Sequence, residues 1–376
     1  MGRTASILYV TDGFAPFVIG GMQAYARRQL ETLAAAGRDV ISISSREAEP
    51  VGDLPWRNIA LPWPRRSGLG RLSPWRYVND LKRFSVAVSA IADEVRPDLI
   101  YAEGPLIHDY LRRASRPART IFNPHGLEMF QRKGSVAEDL KSWPLRGIVA
   151  DHARRADRTV CLSEGGQLMR ILRGSIGVRP DRIAVLPNAA PEAVAKPRPA
   201  QSGKACFLFV GRDEPRKALP LLIEAFRGIE GAELDVVGAE APSGTPSNIR
   251  FHGTVRDRAR INGFYADADF LVAPSHAEGM PTVVLEAFAA ALPVIATDVG
   301  GNAGLVRTGE TGFLVPRADK PALEAAIRDA MQLPDSGYAR LSARCLDLAR
   351  TDFSAQKAGE RLLTLLDAMP GMNKSA

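Results

Sequence analysis

Pro274-Ser275-His276-Ala277-Glu278-Gly279-Met280-Pro281, running into Thr282-Val283-Val284-Leu285-Glu286, is the stretch on which the fold turns. The residues before it, Asp269-Phe-Leu-Val-Ala273, form a short apolar run that reads as a buried strand. Those after it, Val283 to Ala291, are apolar and rich in helix formers. The unit is therefore strand, turn, helix. The first N–H groups of a helix have no intrahelical partner and attract anions. Glu278 lies in the turn and Glu286 about two turns of helix later. Such a site suits a ligand with phosphate at one end and hydroxyls at the other.

Outward from this unit the same alternation recurs. Ile7-Leu-Tyr-Val10 is an expected strand and 21–36 an expected helix, with Met22, Tyr25, Ala26, Leu30 and Leu33 on one face and Gly37 as its stop. Val40 to Ser44, Leu99 to Ala102, Arg119 to Phe122, Thr159 to Leu162 and Ile183 to Leu186 are further strands. Pro187-Asn-Ala-Ala-Pro191 and Lys196-Pro-Arg-Pro-Ala-Gln-Ser-Gly203 break the pattern and read as a linker. A second series opens at Ala205 to Val210. It continues through Glu233 to Val237, Asp269 to Ala273, Val294 to Ala296 and Phe313 to Val315, with helices expected over 320–333 and 336–368. Alternation of this kind predicts parallel sheets covered by helices on both faces. Two such α/β units in tandem, each a doubly wound sheet, leave a cleft at their C-terminal strand ends.

Composition sets the class. The 376 residues are 45% hydrophobic and 24% charged, as in globular proteins. No apolar run reaches the ~20 residues of a membrane span. Met-Gly-Arg-Thr-Ala-Ser leads into a strand without the apolar region of a signal peptide, so a cytoplasmic protein is expected. Three scattered cysteines argue for a reducing compartment and against a disulfide framework or a zinc site. The net charge of +7 is uneven: residues 1–190 hold 28 Lys and Arg against 19 Asp and Glu, the remainder 21 against 23. A basic N-terminal half fits an anionic surface, and an arginine-rich composition explains the same excess. No nucleic-acid motif accompanies it, so nucleic acid is not an expected partner. Residues 50–76 gather Trp56, Trp63 and Trp75 with Arg57, Arg65, Arg66, Arg71 and Arg76 among prolines. Two readings stand: a segment gripping an acceptor or a membrane interface, or a long loop that packs its aromatics on its own domain.

Three other sites carry chemistry. In Phe209-Val-Gly-Arg-Asp-Glu-Pro-Arg-Lys217, a strand ends, Gly211 permits a turn, and Arg212 and Lys217 emerge where a diphosphate needs cations. Gly20-Gly21 opens the first helix and lets a ligand approach backbone N–H groups, without the GxGxxG fingerprint of nicotinamide binding. His125, in Asn123-Pro-His-Gly-Leu-Glu128, follows a strand and is placed to exchange a proton in the cleft. His108, His152, His252 and His276 read as structural.

Glu278-Gly-Met-Pro-Thr-Val-Val-Leu-Glu286, followed by Leu292-Pro-Val-Ile-Ala-Thr297 and Val299-Gly-Gly301, closely resembles the donor site of the family 4 retaining glycosyltransferases. Phosphatidylinositol mannosyltransferases and polysaccharide-assembly enzymes belong to it. The resemblance runs from the Gly-Gly loop through Gly211-Arg212 and Lys217 to Thr311-Gly-Phe-Leu-Val315. It implies the GT-B architecture of two facing Rossmann-like domains. The expected division is an acceptor-binding domain over 1–190, a nucleotide-sugar donor-binding domain over 191–352, and a C-terminal helix in 353–376 packing back on the first domain.

The resemblance also implies roles. Arg212 and Lys217 hold the donor diphosphate, Glu286 the ribose, and Glu278 a hydroxyl of the donor sugar. The backbone of Gly279, Met280, Pro281 and Thr282 helps hold sugar and phosphate. His125 lies near the reacting sugar, and Gly20 and Gly21 close over the diphosphate. The implied reaction moves a hexose from a nucleotide-diphosphate sugar to a lipid-linked or saccharide acceptor in cell-surface polysaccharide or glycolipid biosynthesis. It retains configuration and uses no metal and no cofactor. The basic first domain then fits peripheral attachment to an anionic membrane, the inner face of the plasma membrane. The alternatives are a sugar-nucleotide epimerase of the same architecture and a non-catalytic nucleotide-sugar-binding protein. The chain departs from the family where Lys-Gly becomes Lys217-Ala218, where Ala-x-Gly-x-Pro ends as Ala290-Ala-Leu-Pro293, and where Asn-Gly-Val-Asp becomes Asn188-Ala-Ala-Pro191. In the region of the acidic residue expected after Val-Gly-Gly, it has Asn302-Ala-Gly-Leu305.

Overall fold

The computed structural model describes residues 5–13, 21–44, 54–64, 74–192 and 204–372. The first half runs β1 (Ser6–Thr11), α1 (Gly21–Ala35), β2 (Asp39–Ser44), β3 (Arg57–Ala60), α2 (Pro74–Val95), β4 (Leu99–Glu103), α3 (His108–Leu111), β5 (Arg119–Asn123), α4 (Val136–Arg155), β6 (Arg158–Cys161), α5 (Gly166–Arg170) and β7 (Ile183–Val185). The second half runs β8 (Ala205–Val210), α6 (Leu219–Phe226), β9 (Ala232–Val237), β10 (Ile249–Phe251), α7 (Arg258–Asp267), β11 (Phe270–Ala273), α8 (Thr282–Ala289), β12 (Val294–Thr297), α9 (Asn302–Leu305), β13 (Gly312–Val315), α10 (Lys320–Met331), α11 (Asp335–Arg350) and α12 (Ala355–Asp367).

The strands assemble into two sheets, ordered β3-β2-β1-β4-β5-β6-β7 and β10-β9-β8-β11-β12-β13. Their neighbours pair in parallel. In each sheet the chain moves outward from its first strand and then crosses to the other side. The order thus reverses between β1 and β4, and again between β8 and β11. A crevice opens at such a reversal, outside the C-terminal strand ends. Those ends carry Thr11 and Glu103 in the first sheet, and Gly211-Arg212 and the 274–281 loop in the second. Burial on both faces makes the central strands apolar throughout. In β11, Phe270 and Val272 join one core cluster while Leu271 and Ala273 join the other, as a period of two requires.

Most expected elements lie within one or two residues of their places. The exception is 336–368, expected as one helix and found as α11 and α12. The break at 351–354 turns Phe353 inward, where its carbonyl accepts a hydrogen bond from Ala190 N–H at 2.7 Å. Ser354 then caps α12, its Oγ accepting from Lys357 N–H at 3.1 Å. α12 lies against α1, and Arg38 of the first half ion-pairs with Asp367. Of the Trp/Arg segment, Arg65, Arg66 and Arg71 fall outside the described residues. Trp56 is buried, with its indole N–H on Ser42 Oγ at 3.1 Å. Trp63 stacks on Phe84 at 5.0 Å between ring centroids. For these two the packing reading holds, whereas Trp75 is exposed.

Candidate active site

The strand–turn–helix unit forms as expected, from β11 through the 274–281 loop to α8. The Glu278 carboxylate is buried, and groups from two segments of the second half converge on it. Lys217 Nζ lies 2.6 Å from its Oε1, Ser275 Oγ donates to the same oxygen at 2.7 Å, and Arg216 approaches Oε2 at 3.3 Å. The two cations come from a short 3-10 turn, Pro215–Lys217, after β8. His276 N–H donates to the Arg216 carbonyl at 2.7 Å and ties this turn to the Glu278 loop. Ala218 follows at φ 54°, in the left-handed region, and redirects the chain into α6. Arg212 is exposed and pairs with Glu214 at 2.8 Å, while Glu214 also holds Arg216 at 2.8 Å.

The first half supplies the facing wall. His125 sits beyond β5 at φ 57°, a conformation supported by Asn123 Oδ1 accepting its N–H at 2.9 Å. Its Nε2 faces Glu103 Oε2 at 3.5 Å, and its ring meets the edge of Tyr25 at 5.2 Å between centroids. Glu103 is buried at the end of β4, where it accepts from the Tyr9 hydroxyl and from Thr11 Oγ1 at 3.0 Å. Burial, reinforced by the Glu103 charge, holds the Tyr9 hydroxyl well above its ordinary pKa, so it remains a donor.

The two halves meet closely around these groups. A side chain at Gly279 would bring its Cβ to 2.6 Å from the His125 carbonyl, so only glycine fits there. Gly300, at φ 55°, lets the 299–301 turn press against the Glu278 carbonyl in the same way. Between the halves a cavity of about 640 Å³ remains, in the size range of small-molecule sites. Its walls bring together Gly21, His125, Arg212, Lys217, Glu278, Gly279, Met280, Pro281 and Thr282, all singled out from sequence. Gly20 lies outside the described residues. Glu286 stands apart from the cavity lining. Its carboxylate accepts from Tyr265 Oη at 2.9 Å and lies 3.5 Å from Arg258 on α7.

Sequence reasoning missed Arg216, Ser275, Glu103, Gln131 and Tyr265. Arg216 could have been found, since it adjoins Lys217 on the same turn. Glu103 and Gln131 carry no local signal. No group of three or more His, Cys, Asp or Glu that could hold a metal ion occurs among the described residues.

Two parallel α/β sheets facing each other across a cleft at their switch points define a GT-B glycosyltransferase architecture. Solved structures that share it include sucrose-phosphate synthase from Thermosynechococcus elongatus (TM-score 0.79, 22% identity, 96% of this chain and 98% of that one), and Anabaena HepE in complex with UDP-glucose (TM-score 0.69, 16% identity, 97% and 100%). The family models "Glycosyl transferase 4-like domain" and "Glycosyl transferases group 1" match residues 20–189 and 204–332. A phosphatidyl-myo-inositol mannosyltransferase of Mycobacterium leprae is 28% identical over 347 residues, covering 82% of this chain and 83% of that protein. The chain belongs to the family 4 glycosyltransferases.

Proposed function

We propose that the protein is a retaining, metal-independent hexosyltransferase that moves a sugar from a nucleoside-diphosphate sugar to a lipid-linked acceptor at an anionic membrane surface. The observation that carries the donor half of this reading is the pair Lys217 and Arg216 on Glu278, with Arg212 and His125 in the walls of the same cavity. In the reaction the bond between the sugar C1 and the phosphate oxygen breaks, and its electron pair leaves with the nucleotide. Lys217, Arg216, Arg212 and the free amides at the start of α8 stabilise that charge. Glu278 lies beside the sugar, where positive charge builds. The acceptor oxygen bonds to C1 from the same face, and its proton passes to the departing phosphate. His125, backed by Glu103, lines the acceptor side. The ribose is assigned to Glu286, whose carboxylate would have to leave Tyr265 and Arg258 to reach it.

The membrane half of the reading rests on α4 and its neighbour α2. Val136, Leu140 and Trp143 lie at i, i+4 and i+7 on α4 and are exposed. Exposed Trp75, on α2, meets Trp143 edge to face at 6.2 Å. Exposed Arg76 and Arg132 are near these residues in sequence, and exposed Lys141 pairs with Glu138 at 2.6 Å; Ser142 and Leu145 of the same helix line the cavity. Interfacial tryptophans with basic neighbours suit a lipid headgroup layer beside an open active site. The similarity to a mannosyltransferase named for phosphatidylinositol points the same way. No described helix is long and apolar enough to cross a membrane.

The test has two parts. UDP, GDP, ADP and their common sugar conjugates are screened by thermal shift in EDTA; one of them should raise the melting temperature by mass action. Sedimentation with vesicles containing phosphatidylserine should show binding that weakens with salt and with Trp143→Ser. Absence of any nucleotide shift would sink the donor reading. Salt-insensitive vesicle binding, or none, would sink the membrane reading.

A further inference from the structure

Glu278 is held through its own peptide by the other half of the molecule. Gln131, just after the 3-10 turn Glu128–Phe130, is 3% exposed. Its Nε2 donates to the Glu278 carbonyl at 2.7 Å, and its Oε1 accepts from the Glu278 N–H at 3.2 Å. Two further carboxamides of the first half repeat the pattern on neighbouring backbone. Asn188 Nδ2 donates to the Met280 carbonyl at 3.0 Å, and Gln167 Oε1 accepts from Gly300 N–H at 2.6 Å. A carboxamide is neutral and offers a donor and an acceptor side by side, so it pairs with a peptide without desolvating a charge. Opening the cleft would separate all three pairs at once. In the closed form, removing Gln131's amide would leave two buried backbone groups unsatisfied.

We propose that Gln131 is a positioning residue: it sets the peptide of Glu278, and hence the carboxylate, only when the two halves are closed. Gln167 and Asn188 complete the latch. The kinetic consequence rests on the donor-site reading above; the closure itself does not.

The test uses the full chain and the near-isosteric variant Gln131→Glu. At pH 8 the new carboxylate accepts from the Glu278 N–H but has no proton for the Glu278 carbonyl. The closed-to-open ratio should fall roughly ten- to hundredfold, and the radius of gyration from small-angle scattering of ligand-free protein should rise above wild type. At pH 5 the buried carboxyl is expected to take up a proton and donate again, so scattering should return to the wild-type value. Gln131→Met, which can do neither, should stay open at both pH values. With the nucleotide sugar that stabilises wild type, Gln131→Glu at pH 8 should lower kcat relative to wild type at the same pH, and the deficit should shrink at pH 5. Wild-type scattering from Gln131→Glu at pH 8, or an open form that pH 5 does not reverse, would overturn the proposal. A protein that binds no nucleotide sugar would instead remove the donor reading, and the scattering result would still decide the role of Gln131.

Discussion

Glu278→Gln should tighten the binding of free nucleoside diphosphate while abolishing sugar transfer. In the ligand-free protein the carboxylate already occupies the cations proposed for the diphosphate, with Lys217 at 2.6 Å and Arg216 at 3.3 Å. A diphosphate must share them with a negative charge that is itself almost wholly buried. A phosphate gripping Lys217 from the open side would lie roughly 6–8 Å from that charge; at an effective dielectric of about 20 their repulsion is about 2 kcal/mol. The amide keeps the volume, and its oxygen can still accept from Ser275 and Lys217; the amide nitrogen turns to Arg216, so the variant removes the charge and frees Arg216. The expected tightening is roughly thirtyfold. Titration calorimetry with UDP, GDP and ADP on both proteins measures it directly. Affinity that is unchanged or weaker in Glu278→Gln would refute the idea that carboxylate and diphosphate compete for the same cations.

Ala218 and Ala291 lie at φ 54° and 56°, in the left-handed region that favours glycine. The left-handed conformation costs alanine about 1–2 kcal/mol, against about 0.4–1 kcal/mol for the freer unfolded chain of glycine. Ala291→Gly should therefore raise the melting temperature by about 1–3 °C. Ala218→Gly also loses a buried methyl worth about 0.8 kcal/mol and should be close to neutral; calorimetry giving the opposite order would contradict this. Burial lowers the His152 pKa to about 4, so its contribution is fully present above the unfolded value near 6.5 and lost as pH falls to about 4, an effect of about 3 kcal/mol. His152→Leu should flatten that acid limb in pH-dependent denaturation, and an unaltered limb would assign it elsewhere. His125→Ala should leave nucleotide affinity intact and cut turnover, whereas Lys217→Ala should weaken nucleotide binding; calorimetry and initial rates separate the two.

The legible part of the site was the part carried by neighbouring residues. Lys217 and Glu278 could each be read from a strand end, a turn and a helix start, because a chain of three such elements places its own side chains. Glu286 could be placed on α8 but not oriented, since whether a helical carboxylate faces the cleft depends on what packs beside it; here that is α7, with Tyr265 and Arg258. The Trp segment was ambiguous for a related reason. Aromatics beside arginines look the same whether they turn inward, as Trp56 and Trp63 do, or outward, as Trp75 does.

Hydrophobic periodicity and turn residues by themselves determined the element types, their order and the two-sheet class, because a strand or helix must show its buried face at a fixed interval. The tertiary structure alone decided that Glu103 lies behind His125, that the 215–217 turn closes onto Glu278, and that Gln131 pairs with a peptide 147 residues away. The first two join strand ends and turns that sheet order brings together within one half, and the third joins the two halves across the cleft. Their energies come from burial and from hydrogen bonds and ion pairs between segments far apart in the chain, and neither leaves a local pattern in the sequence.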